Sequence, residues 1–445
     1  MKMLRPFSLA PLVAALAVAL SAPAGAQSLI ELHAAARSFD AAYQSAQSNL
    51  EAAQAKAAQA RAALYPSAGL VVDSSRTNSV SRVEGAPKSE STFGTNSATV
   101  NGKQPLYNPA NSIGATQGGK GVEVAQAQLL AAEQDVIMRV SQAYFDVLAS
   151  QDSLTFVKAQ KTAVAEQLAS AKRTFEVGTS TITDTREAQA KYDLVIAQEI
   201  AAENDLRIKR LALDQLVGKP DSQPKPLALP VVLPALQPAN VDEWVQQAQN
   251  AHPDIVRAKL GLELARLDTD KARSGHLPTL DLYGSYRLGQ NNGSSVSSID
   301  SRSNSATIGL TLNIPLFAGF AVQNRIKETL ALEDKAGTDL LSAQRAVSQG
   351  TRTAYFGVLS GQGQVKALEA AEASSQSALD ATKLGYQVGV RINIDVLNAQ
   401  SALFQTKRDL AKARYDVLLT GLKLRQASGT LKSEDLGPVN ELLAK

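Results

Sequence analysis

The chain has 445 residues, a formal net charge of +3, no cysteine and 5% aromatic residues. That charge balance gives no ground for nucleic-acid binding, and the missing thiols exclude both a disulfide framework and a cysteine-borne lipid anchor. Scarce aromatics beside abundant alanine suit closely packed helices better than a large globular core.

Residues 1–26 read as an export signal. Lys2 and Arg5 make a positive n-region, Leu9 to Leu20 an apolar stretch, and Ala24-Gly25-Ala26 a small-residue cleavage site. The apolar stretch is shorter than the roughly 20 residues needed to span a bilayer, which disfavours a retained anchor. Leu29 to Leu64 lacks proline and glycine and predicts a single helix of about 54 Å, stopped by Pro66. Residues 67–104 change character to Gly, Ser, Thr, Asn and Val with weak alternation, which predicts two strands closed by Pro105 and Pro109. A helical pattern resumes near Gly114 and runs to Val177, about 96 Å. It carries a heptad series (Val122, Leu129, Val136, Ala143, Ser150, Val157, Val164, Ala171) and a second series four residues on, interrupted by Lys161. After a break at 178–183, a helix is expected from Asp184 to about Val217.

Residues 218–240 contain six prolines and predict a connector with short strands such as Val231 to Leu233. The plan then repeats. A helix is expected over about 242–274 and a strand from Thr279 to Arg287, followed by a polar loop from Gly289 to Ser305. A second strand follows, in which Ile308, Leu310, Leu312 and Ile314 alternate with smaller or polar residues. Helices over about 318–388 and 395–428 and a tail over 429–445 complete the chain.

The two plans share their wording. AYFDVL at 143–148 recurs as AYFGVL at 354–359, Val177-Gly178 as Val388-Gly389, Asp184 as Asp395 and Gly218 as Gly429. All sit 211 positions apart. The organisation is therefore a first repeat over 27–217, a proline-rich connector over 218–240, a second repeat over 241–428 and the tail. In each repeat the two shorter helices sum to about the length of the long one, as the wall of a tube requires. Four strands cannot close a barrel, and an open sheet edge cannot face lipid. Three copies supply twelve strands, which can close. Tyr65, Tyr107, Tyr283, Tyr286, Phe317 and Phe320 fall at or near the strand ends, as an aromatic girdle would.

Taken with the export signal, the YP and LP strand entries and the paired VG turns, these features resemble the TolC family of trimeric outer-membrane efflux and secretion channels, in its non-lipidated branch. The resemblance covers essentially the whole mature chain. It implies an α+β membrane protein: a long α-helical coiled-coil barrel plus four transmembrane β-strands per protomer, closing a 12-stranded β-barrel as a homotrimer in outer-membrane lipid. It also implies docking to a periplasmic adaptor (membrane fusion) protein and to an inner-membrane ABC or proton-driven transporter. By the same resemblance Thr183, Asp184, Tyr386 and Arg391 match a gate network at the two helix–helix turns. Asp395 matches one of two acidic positions ringing the pore constriction, and the other falls on Asn398, which leaves three carboxylates per trimer at that level.

A second reading of the same residues is helix capping: Asp184 with Glu187 has capping-box spacing, and Asp395 is also placed to cap a helix. A different reading of the whole chain is a periplasmic coiled-coil structural or adaptor protein. An enzyme is not expected, nor a cofactor or metal. His33, His252 and His276 are isolated. In GATQGGKG at 114–121, Gly121 stands where a phosphate loop needs Ser or Thr, and Gly361-Gln-Gly363 is a lone GxG without a preceding strand.

Overall fold

The computed structural model describes residues 26–444 apart from 83, 86, 229, 295, 296 and 298. The export signal, except Ala26, lies outside the described residues. The same series of elements occurs twice. The first comprises α1 (Leu29–Phe39), α2 (Ala41–Ala62), β1 (Ser67–Ser81), β2 (Ser89–Tyr107), α3 (Pro109–Glu176) and α4 (Ile182–Val217). The second comprises α5 (Val241–Ala251), α6 (Pro253–Arg273), β3 (Thr279–Asn292), β4 (Asp300–Asn313), α7 (Ala321–Gln387) and α8 (Asn393–Ala427), with α9 (Leu436–Glu441) in the tail. Among the described residues no helix is long and apolar enough to cross a membrane.

Three expectations are corrected. Leu29–Leu64 is not one helix: Asp40, with φ −63° and ψ 116°, ends α1, and its Oδ1 accepts the Tyr43 N–H at 2.8 Å to start α2. The second repeat breaks at His252, 212 residues later, with φ −65° and ψ 127° and Pro253 following. Each break is met by the glycine that ends its own repeat. Gly218 and Gly429 have φ of +71° and +72°, and a Cβ would overlap the Phe39 ring at the first and the Ala251–His252 backbone at the second. Next, Val231 to Leu233 is not a strand. The connector makes isolated bridges instead, Gln27 to Pro224 and Leu227 to Leu443. Finally, the strands extend past their expected ends, and much of the loop placed at 289–305 is paired β-ladder.

Two compact units make up the chain. The first holds residues up to 45, 130–253 and 344–445. Its core packs Leu29, Leu32 and Ala36 of α1 with Val136, Val140, Tyr144 and Leu148 of α3, Leu213 of α4 and Leu418 and Leu422 of α8. Both heptad series face inward over most of their length: Val136, Val140, Val147, Val157, Val164, Leu168 and Ala171 are buried, whereas Phe175 at the end of the second series is exposed. Lys161, the interruption, pairs with Glu199 of α4 at 2.6 Å. The repeated tyrosines of the AYF motifs have a shared task. The Tyr144 hydroxyl donates to the Lys225 carbonyl and that of Tyr355 to the Ala239 carbonyl, so each repeat tethers one end of the connector.

The second unit, residues 46–129 and 254–343, carries the sheet. Its order is β1-β2-β3-β4, antiparallel throughout. The GATQGGKG segment is helical within α3, and Gly118 there lets the backbone of Ala57 on α2 approach closely.

Candidate functional site

The sheet register sorts its side chains by face. Paired residues point the same way and neighbours along a strand point oppositely. Leu70, Val72, Ala98, Val100, Leu282, Tyr286, Leu288, Ile308 and Leu310 therefore share one face. They are largely exposed, Ile308 at 81% and Val72 at 70%. The other face presents Asp73, Ser97, Thr99, Lys103, Asp281, Arg287 and Thr307, with a Lys103–Asp281 ion pair at 2.9 Å. From Leu280 to Leu288 the apolar rows extend about 27 Å along the strand, close to the height of a lipid-facing barrel band. A β-bulge between Pro105 and Tyr107 places Tyr107 opposite Leu280, on the apolar face; without it the residue would point to the polar side. Tyr107, Tyr65, Phe317 and Phe320 lie exposed at the helix-proximal strand ends, and the last two pack edge to face. Tyr283 departs from the expected girdle. It lies on the polar face beside Gly309, where a Cβ would overlap its ring.

The two helix–helix turns are built alike and capped differently. Gly178 and Gly389 take φ of +77° and +80°, the left-handed conformation that closes the preceding helix. In the first turn the box is Thr181–Asp184, not Asp184–Glu187. The Thr181 hydroxyl accepts the Asp184 N–H, and Asp184 Oδ2 accepts from the Ser180 hydroxyl (2.6 Å), the Thr181 N–H (3.1 Å) and the Thr181 hydroxyl (2.9 Å). These bonds, the Ser180 bond foremost, hold its carboxyl below the usual range. In the second turn Ile392 stands where Thr181 stands. Among the described residues Asp395 accepts only a distant Ile392 N–H, at 3.5 Å, and lies 3.7 Å from Arg391. Its side chain is 35% exposed. Gly385 admits the Arg391 stem, since a Cβ there would overlap Arg391 Cγ.

Of the six expected site residues, the structure joins Arg391 to Asp395. Thr183 and Asn398 are exposed. Tyr386 packs beside Leu379, Val396 and Leu403. One residue that links the turns was not expected. Asn393 is fully buried at the start of α8; its Nδ2 donates to the Asp184 carbonyl at 3.2 Å and its Oδ1 accepts from Gln167. Farther along the same seam the Tyr415 hydroxyl donates to Asp152 at 2.6 Å. Burial, only partly offset by that bond, raises the Asp152 pKa. No cluster of His, Cys, Asp and Glu able to hold a metal occurs among the described residues.

The outer membrane efflux protein model matches residues 32–219 and 244–430, one segment per repeat. The chain is 33% identical over 422 residues to outer membrane protein TolC of Vibrio cholerae serotype O1, covering 95% of each. It is 30% identical over 404 residues to alkaline protease secretion protein AprF of Pseudomonas aeruginosa, covering 89% of this chain and 83% of that one. The solved structure of outer membrane protein VceC from Vibrio cholerae is similar in fold, with a TM-score of 0.76 at 20% identity over 90% of this chain and 96% of that one.

Proposed function

The chain belongs to the outer membrane efflux protein family, and from that premise we propose that it is the exit duct of a tripartite efflux pump or type I secretion system, exported by its N-terminal signal and assembled as a homotrimer. The observation that carries this reading is the sheet: one face apolar and exposed, the other polar, with β1 and β4 left as edges. Backbone edges in lipid must be paired, and three copies pair them by closing twelve strands. A soluble adaptor gives no reason for such a face.

In this duct the helical hairpins α3–α4 and α7–α8 line a periplasmic tunnel that receives substrate from an inner-membrane transporter through an adaptor. The turns at 178–184 and 389–395 form its gate. Thr183, Asp184, Tyr386 and Arg391 make the closing contacts, and Asp395 rings the constriction with Asn398 at the neighbouring position. Each exposed ion pair is worth about 0–1 kcal/mol, so an adaptor that prefers the open state can break the set. The duct is passive and uses no cofactor. The test is single-channel conductance in planar bilayers. Arg391→Ser combined with Tyr386→Phe raises the resting conductance; an unchanged conductance removes both residues from the gate.

A further inference from the structure

The apolar rows of the sheet stop before the strand ends remote from the helices, and cations follow them. On β1 the apolar face continues from Val72 to Ser74 and Arg76; on β4 it continues from Ala306 back to Asn304 and Arg302. Register aligns Ser74, Asn96, Gln290 and Arg302 in one row across all four strands, with Arg76 one row farther out. Ser74, Asn96, Gln290, Arg302 and Asn304 line a shallow groove, and the Ser74 hydroxyl is bonded to Asn96 Oδ1 at 2.7 Å. Both arginines are exposed, and neither forms an ion pair among the described residues, with Asp300 or with any other carboxylate. The opposite margin of the same face ends in Tyr107, Leu280 and Leu312, without a basic side chain. Asp300 lies two residues beyond Arg302 on the same face, so this margin carries two arginines against one carboxylate, and the net positive charge borders the apolar band on that side alone.

We propose that Arg76 and Arg302 bind the phosphorylated headgroups of outer-leaflet lipids, as a site shared between protomers. This rests on the barrel reading above. The two arginines sit on β1 and β4, the edges that meet when copies close a ring, so each seam between protomers brings Arg302 of one copy near Arg76 of the next. A guanidinium fork matches phosphate oxygens two at a time, which a lysine ammonium cannot do. The acyl chains below the headgroup lie on Val72 and Ile308, and the groove amides and hydroxyl offer hydrogen bonds to sugar or ester oxygens. Each basic side chain at such a margin strengthens binding about fivefold, and the pair about twenty-five-fold.

The experiment is native mass spectrometry of the detergent-purified full-length protein. It uses a diphosphorylated, multiply acylated glycolipid, the same lipid dephosphorylated, and inorganic phosphate as competitor. The wild-type trimer retains the phosphorylated lipid and not the dephosphorylated one, and phosphate alone does not displace it. Arg76→Gln with Arg302→Gln weakens retention about twenty-five-fold, and Arg76→Lys with Arg302→Lys falls between. Equal retention of both lipids, unchanged retention in the Gln variant, or displacement by inorganic phosphate overturns the proposal. Conductance in bilayers lacking the glycolipid keeps the two readings apart: wild type and Gln variant both conduct if the barrel is right, and a wild type that neither trimerises nor conducts overturns the barrel itself.

Discussion

A carboxylate that already accepts three hydrogen bonds from its own turn has little left for a pore, and this separates Asp184 from Asp395. Asp184 is held by Ser180 and Thr181, whereas Asp395 has lost both counterparts, to Arg391 and Ile392. In the proposed duct the second turn is therefore the one with a carboxylate free to face the pore. Asn398→Asp, three residues beyond Asp395, adds three carboxylates per trimer and strengthens block by multivalent cations in planar bilayers. Unaltered block would place position 398 off the lumen. Asp152 makes a different prediction. Its pKa is raised in the folded chain, mainly by burial, so the folded state holds its proton more tightly than the unfolded chain does. Its contribution to stability is favourable when protonated and is lost as pH rises through the raised pKa, above the ordinary 3.8. Asp152→Asn keeps an acceptor for Tyr415 and removes the titration. Its unfolding midpoint should gain on the wild type as pH rises above 3.8; a constant difference would show that the Asp152 pKa is the same in the folded and unfolded chain.

At the scale of elements, the bulge at Leu106 decides where Tyr107 points. Deleting Leu106 removes the extra residue and leaves Tyr107 opposite Leu280 in an uninterrupted ladder, still on the apolar face. Tyr107→Ser instead takes an aromatic from that margin, and heat-resistant trimers measured by gel migration should fall in yield; wild-type yield would make Tyr107 incidental to the girdle. No sequence signal marked this bulge. Much else was legible. The glycines at 178 and 389 and the heptads of α3 located the turns and the buried stripe, because both are local patterns. The helix break at His252 had its signal in Pro253, which an unbroken helix over 242–274 passed over. The break at Asp40 lies in an Ala/Gln-rich run without glycine or proline and is set by tertiary partners: Asp40 is held by Arg139 of α3 at 2.7 Å. Ser- and Asn-rich strand ends looked like loop because alternation fades there, although the ladder continues. Asn393 escaped notice because its partner Gln167 is 226 residues away.

For the molecule as a whole, the duct reading requires that two adjacent residues of one strand meet different solvents. Leu310 lies on the apolar face, 62% exposed and paired with Leu282, while Thr311 lies on the polar face opposite Asp281. If three sheets close into a barrel, a lysine at 310 faces hydrocarbon, which costs about 2–4 kcal/mol per protomer near the midplane. A lysine at 311 faces water inside the barrel and leaves folding intact. Leu310→Lys should therefore abolish membrane-inserted, heat-resistant trimers. Thr311→Lys should keep them and shift the ion selectivity of the open channel toward anions, three added charges acting at one level. Had the sheet been a soluble module, the ranking would differ. Both positions would be exposed to water, both lysines would be tolerated to within a few tenths of a kcal/mol as ordinary surface changes, and neither would alter conductance. Equal tolerance at 310 and 311 would thus remove the sheet from the membrane, and the twelve-stranded closure with it.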